Sequence, residues 1–120
     1  MAVNNNNHLL IANLYGNCIS AFALDGNYIN RIGTQGSSRG QLSGLCGLIF
    51  DMYGIILVTE HENNRVSVFS KDGIFRHCFG SKGSAYGKFS APCGIAISPN
   101  GSVYISDRGN NRIQVIFDYF

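Results

Sequence analysis

Three histidines, four cysteines and a recurring acid–arginine pair are the residues of this 120-residue chain whose chemistry goes beyond packing. A zinc centre needs ligands that converge at regular spacing, and His8, His61 and His77 share none. No Ser/His/Asp or Cys/His arrangement recurs that would activate a nucleophile. Cys18, Cys46, Cys78 and Cys93 contain no C-x-x-C pair, which disfavours a zinc knuckle. Met1-Ala2-Val3-Asn4 runs into Asn5, Asn6 and Asn7 with no basic or apolar leader. The cysteines are therefore expected to be reduced thiols in a cytoplasmic protein. No catalytic residue, metal site or cofactor is expected. The acid–arginine pairs are different: Glu60 precedes Arg65, and Asp107 precedes Arg112, by the same interval. A repeated pair of this kind reads as a structural clasp between neighbouring units rather than as a ligand contact.

The elements that carry these residues follow from a repeat. With 15 Gly, 2 Pro and 13% charged residues, the composition describes one turn-rich globular domain of short strands. A shift of 47 positions lays Gly33 on Gly80, Gly40 on Gly87, Gly47 on Gly94, Gly54 on Gly101 and Cys46 on Cys93. It also lays Asn-Asn-Arg-Val-Ser-Val (63–68) on Asn-Asn-Arg-Ile-Gln-Val (110–115). Leu9-Leu10-Ile11 falls in the same register beneath Ile56-Leu57-Val58 and Val103-Tyr104-Ile105. Each unit reads as four strands, A to D, placed in the second unit at 46–50, 55–59, 65–69 and 74–79. Strand C alternates apolar and polar residues, as a strand with one buried face does. Hairpin-turn residues join A to B at 51–54 and 99–101, and C to D at 71–73.

Four-stranded antiparallel sheets repeated at this period are blades of a β-propeller. The predicted fold is all-β, about eleven strands in about two and a half blades, with repeats at 1–32, 33–79 and 80–120. Closed propellers carry roughly 4–8 blades, so an open, incomplete propeller is expected. Met1 and Phe120 both fall inside blades, as in a piece of a longer chain. Such a piece is expected to dock against further blades or to self-associate through open edges. The longest apolar runs fall far short of the ~20 residues that span a bilayer, so no membrane contact is expected.

Phe79-Gly-Ser-Lys-Gly-Ser-Ala-Tyr-Gly-Lys-Phe-Ser-Ala-Pro-Cys-Gly-Ile-Ala-Ile, followed by Gly-Ser-Val-Tyr-Ile-Ser-Asp-Arg-Gly-Asn-Asn-Arg-Ile-Gln-Val115, resembles the NHL repeat. The likeness is closest in the third repeat, good in the second and weaker in the first, where Asn13 and Cys18 replace the acid and the arginine. The long spacing Phe-Gly-Ser-x-Gly-x-x-x-Gly-x-Phe looks most like the C-terminal propeller of TRIM-NHL ubiquitin ligases. That resemblance implies a module recruiting protein substrates or RNA. The RING, B-box and coiled coil of those ligases have no counterpart in these residues, so the chain itself is expected not to be an enzyme. Relatives of the repeat that are zinc lyases need converging histidines, which this chain does not space out.

Antiparallel connectivity sends successive turns to alternate rims. The B–C and D–A loops share one rim, which carries Arg39, Lys82, Lys88 and Arg108, with Arg65 and Arg112 opening strand C. Glu60, Glu62 and Asp107 stand against them, a surplus of three cations. The opposite rim carries Asp25, Asp51, Asp72 and Asp118 against Lys71, a surplus of three acids. Candidate RNA- or partner-binding residues are therefore Arg39, His61, Lys82, Tyr86, Lys88 and Arg108, with Tyr15 a further stacking face. Glu60, Arg65, Asp107 and Arg112 are the clasp candidates.

Overall fold

The computed structural model describes residues 2–3, 8–13 and 17–117. Three antiparallel sheets follow one another along the chain. The first is formed in sequence order by β1 (Ala2–Val3), β2 (His8–Asn13), β3 (Cys18–Ala23) and β4 (Tyr28–Ile32). After a short parallel pair, β5 (Thr34–Gln35) and β6 (Gln41–Leu42), comes the second sheet. It comprises β7 (Leu45–Phe50), β8 (Ile56–Glu60), β9 (Arg65–Phe69) and β10 (Phe75–Phe79). The third holds β11 (Pro92–Ile97), β12 (Val103–Asp107) and β13 (Arg112–Ile116), with a 3₁₀ turn at Arg108–Asn110. The architecture is all-β: up-and-down blades stacked as an open propeller segment, as the repeat predicts.

The turns set that connectivity. Asp51 and Ser98 close equivalent A–B hairpins, each accepting an N–H from the glycine three residues on, Gly54 or Gly101. Those glycines sit at φ 83° and 90°, a left-handed conformation that a side chain would strain. Gly26 and Gly73 do the same in the C–D turns.

Side-chain alternation in β8 builds both interfaces of the middle blade. Ile56 and Val58 face the first sheet, in a core with Leu10, Ile19, Ile32, Leu42 and Phe69. Leu57 faces the other way, with Val66, Val68, Phe89, Val103 and Ile105. Each such side chain contributes roughly 1.5–3 kcal/mol by leaving water. Phe50 and Phe79 pack against these two cores in turn.

Two expectations change here. Strand C of the second repeat, β9, is buried on both faces rather than one. A blade with neighbours on either side has no solvent face, and the polar Ser67 points at a buried carboxylate instead of at water. The cysteines are not all reduced thiols either. Cys46 and Cys93 form a disulfide, with Cα atoms 4.9 Å apart. They hold equivalent places on β7 and β11, strands that meet as the innermost strands of adjacent blades. Cys18 and Cys78 are free.

Candidate functional site

The loops that carry the candidate residues are held by two polar hubs, one in the second repeat and one in the third. In the second repeat, the last residue of β8, Glu60, is fully buried. Its Oε1 accepts from the Ser43 backbone N–H at 3.2 Å and the Asn63 amide at 2.8 Å. Its Oε2 accepts from Arg65 Nε at 3.0 Å and from the Ser67 hydroxyl. Arg65 then turns its remaining donors on the D–A loop, with Nη1 donating to the Ser37 carbonyl and Nη2 to those of Ser38 and Gln41. Asn63 reaches the Gly36 carbonyl of the same loop.

The third repeat copies this arrangement 47 residues later. Asp107 Oδ1 accepts from Ser90 N–H at 2.7 Å. Its Oδ2 accepts from Asn110, Arg112 Nε and Gln114 at 2.9, 2.9 and 3.1 Å. Arg112 donates to the carbonyls of Ser84, Ala85 and Lys88, and Asn110 to that of Gly83. Burial would by itself raise the pKa of Asp107. The four donors, from Ser90, Asn110, Arg112 and Gln114, outweigh it and hold the carboxyl below its ordinary range.

Both arginines thus spend their guanidinium donors on an acid and on loop carbonyls, which leaves little for an outside ligand. What they do is shape the rim. Arg112 fixes the 84–88 segment, on which the Lys88 side chain is exposed, with the exposed Lys82 just before it. Arg108, on the 3₁₀ turn beside it, is exposed too, and Gly109 N–H bonds the Ser90 carbonyl to hold that turn against the loop. None of these three cations has an acid partner within salt-bridge distance among the described residues.

The other candidates are placed less uniformly. Tyr86 is exposed, and its hydroxyl donates to the Val115 carbonyl, which lays the side chain beside β13. His61 is exposed on the B–C turn, with its backbone N–H on Gly44. The Arg39 guanidinium lies 5.2 Å from the Phe75 ring centroid, stacked on outer strand β10. Arg39 is therefore engaged within the protein, whereas Lys82, Lys88 and Arg108 face outward. His77 lies in β10 beside Phe79, away from His61 on the B–C turn. Tyr15, Asp118 and the side chain of His8 lie outside the described residues. On the opposite rim, Asp51 is buried, accepting N–H bonds from Tyr53 and Ile55, so its charge belongs to the turn.

The asparagines were not singled out by sequence reasoning. Asn17 and Asn64, at φ 48° and 52°, occupy equivalent positions in consecutive B–C turns. The side-chain oxygen of Asn17 accepts the Gly44 N–H, and that of Asn64 accepts the Ala91 N–H, each across to the D–A loop of the next repeat. Asn63 and Asn110 complete the hubs. The repeated Asn-Asn dipeptide before each arginine was the available signal.

Blades of this topology, joined through such loops, define a β-propeller segment. Residues 89–116 match the family profile "NHL repeat". Among solved structures, the chain is similar to a catalytically inactive virginiamycin B lyase from Staphylococcus aureus with quinupristin, at TM-score 0.74 and 24% identity over 98% of this chain. A streptogramin B lyase follows at TM-score 0.72 and 20% identity over 94%. Glutaminyl cyclase from Myxococcus xanthus gives TM-score 0.57 and 17% identity over 92%. The chain spans 37% and 35% of the two lyases and 53% of the cyclase. No curated protein sequence matches significantly. Together these identify an NHL-type propeller repeat within an open propeller segment. They also correct the expectation that the chain is not an enzyme. That expectation rested on the lack of a RING counterpart and on histidines and nucleophiles without recurring spacing, whereas solved structures similar to this chain include lyases, so the fold does not separate recruiters from enzymes. No helix among the described residues is long and apolar enough to cross a membrane.

Proposed function

We propose that the chain is part of a recognition propeller whose B–C/D–A rim recruits protein substrates or RNA, as the TRIM-NHL ubiquitin ligases that its motif resembles do. One observation carries the reading. The rim's loops are held by internal hubs, while Lys82, Lys88 and Arg108 are exposed on them with no acid partner among the described residues. A surface that is rigid in backbone and free in charge suits an acidic or phosphate-bearing partner, since little ordering entropy is lost on binding. Rim loops are also the segments of a propeller that tolerate variation and carry contacts.

RNA is favoured by a second feature, the exposed Tyr86 in the same loop as Lys82 and Lys88, which offers a stacking face between phosphate contacts. In that case the chain acts in post-transcriptional regulation with or without a ligase attached. The test is a filter-binding titration with a random single-stranded RNA pool at about 50 mM salt. Retention that weakens steeply with salt, and is lost on reversing charge at Lys82, Lys88 and Arg108, is the expected result. Flat retention across the pool removes the RNA reading. Loss of a co-purifying protein on the same charge reversal, without RNA retention, supports protein recruitment.

A further inference from the structure

The Cys46–Cys93 bond joins the innermost strands of two adjacent blades, β7 and β11. Contacts other than the bond also join the two backbones. Thr59 in β8 accepts the Gly47 N–H at 2.7 Å through its hydroxyl oxygen, and the same hydroxyl donates to the Cys93 carbonyl. Position 47 has no side chain, and a Cβ there would collide with the Cys93 carbonyl and the Thr59 hydroxyl. Farther out, the Ala91 N–H bonds Asn64, and Val66, Val68, Phe89 and Val103 share one core. The cysteine Cα atoms lie 4.9 Å apart, inside the span a disulfide needs, among contacts that do not involve the sulfur atoms.

We propose that Cys46 and Cys93 form a reversible redox clasp between adjacent repeats, closed by exchange with a small-molecule disulfide and opened by excess thiol. Both residues are half-buried and so within reach of a small reagent, whereas Cys18 is buried. In closing, one cysteine thiolate attacks the disulfide RSSR, giving a mixed disulfide and releasing one RS⁻. The second cysteine thiolate then displaces the other RS⁻ from that mixed disulfide. The pair gives up two electrons and two protons, and RSSR leaves as two RSH. Because the strands are already in place, closure needs no rearrangement of the blades. It adds a covalent tie at the inner strands, close to the Asn64–Ala91 bond that links the rim loops.

The test uses the full 120-residue chain equilibrated in glutathione buffers of graded ratio. Trapping free thiols by alkylation and mapping peptides should show Cys46 joined to Cys93 in the oxidised buffers and both alkylated in the reduced ones. Cys78 should stay alkylatable throughout. The oxidised form should melt higher by on the order of 10 °C. Cys46→Ser and Cys93→Ser should both abolish that redox dependence and melt like the reduced wild type. A Cys18→Ser/Cys78→Ser variant should retain it. Pairing of Cys46 or Cys93 with Cys18 or Cys78 would overturn the proposal. So would full alkylation of both in oxidised buffer, or a bond that excess glutathione does not reopen. If the serine variants do not fold, the thiol-trapping titration of the wild type decides alone.

Discussion

The hubs of the second and third repeats solve one problem with different side chains. The second uses Glu60 and Ser67, the third Asp107 and Gln114, at equivalent positions. Where the acid is longer by one methylene, its partner on strand C is short, and where the acid is shorter, the partner is long. The carboxylate-to-strand contact survives both. Gln114 also gains bonds that serine cannot make, donating to the Lys88 carbonyl and accepting the Gly87 N–H. Environment differs as well: the Arg65 side chain is 11% exposed and that of Arg112 33%. The middle hub is sealed between blades, and the later one touches water. What is preserved, then, is the gathering of the D–A loop onto the end of strand B, rather than any one residue pair.

The largest expected effect is removal of the sealed acid. Glu60→Ala leaves Arg65 buried without its anion and should cost about 3–5 kcal/mol, read from denaturant midpoints. Asp107→Ala should cost less, because water can reach Arg112. Equal losses in the two would show that sealing between blades does not matter. Length compensation comes next. Glu60→Asp and Ser67→Gln should each destabilise the chain, while the double variant regains part of the loss, with a coupling of about 1 kcal/mol in a double-mutant cycle. Strict additivity would break the comparison.

The depressed pKa of Asp107 gives a pH signature. A carboxyl whose folded pKa lies below its unfolded value, about 3.9, stabilises the fold fully above that value. The contribution disappears as pH falls through the lower, folded pKa. Acid denaturation should therefore be shallower below about pH 4 in Asp107→Asn than in the wild type. The smallest effect concerns Arg39. Phe75→Leu removes the ring beneath its guanidinium and should cost about 0.5–1 kcal/mol beyond the loss of packing, compared with the same change in an Arg39→Gln background.

Much of this was legible in the chain. The 47-residue register, the strand order within each blade and the acid–arginine pairs all follow from recurrence of residue types. What recurrence did not show was direction. Ser67 and Gln114 alternate with valine and isoleucine as solvent-facing residues would, yet both turn onto buried carboxylates, because a blade interior needs polar partners for its acids. Arg39 has the composition of a rim cation, and only the fold lays it against Phe75. The short parallel ladder of β5 and β6 lies in what reads as irregular loop. Cys46 and Cys93 stood at matching positions in the repeat. Their pairing required knowing that equivalent inner strands are neighbours in space.

The central claim, that each buried carboxylate ties its own D–A loop to its own blade, is tested most directly by native-state hydrogen exchange at the Ser43 and Ser90 amides. Glu60→Gln should lower protection at Ser43 and the 36–44 loop while leaving Ser90 unchanged, and Asp107→Asn should do the converse. Protection lost equally at both amides in either variant, or at neither, would contradict the account.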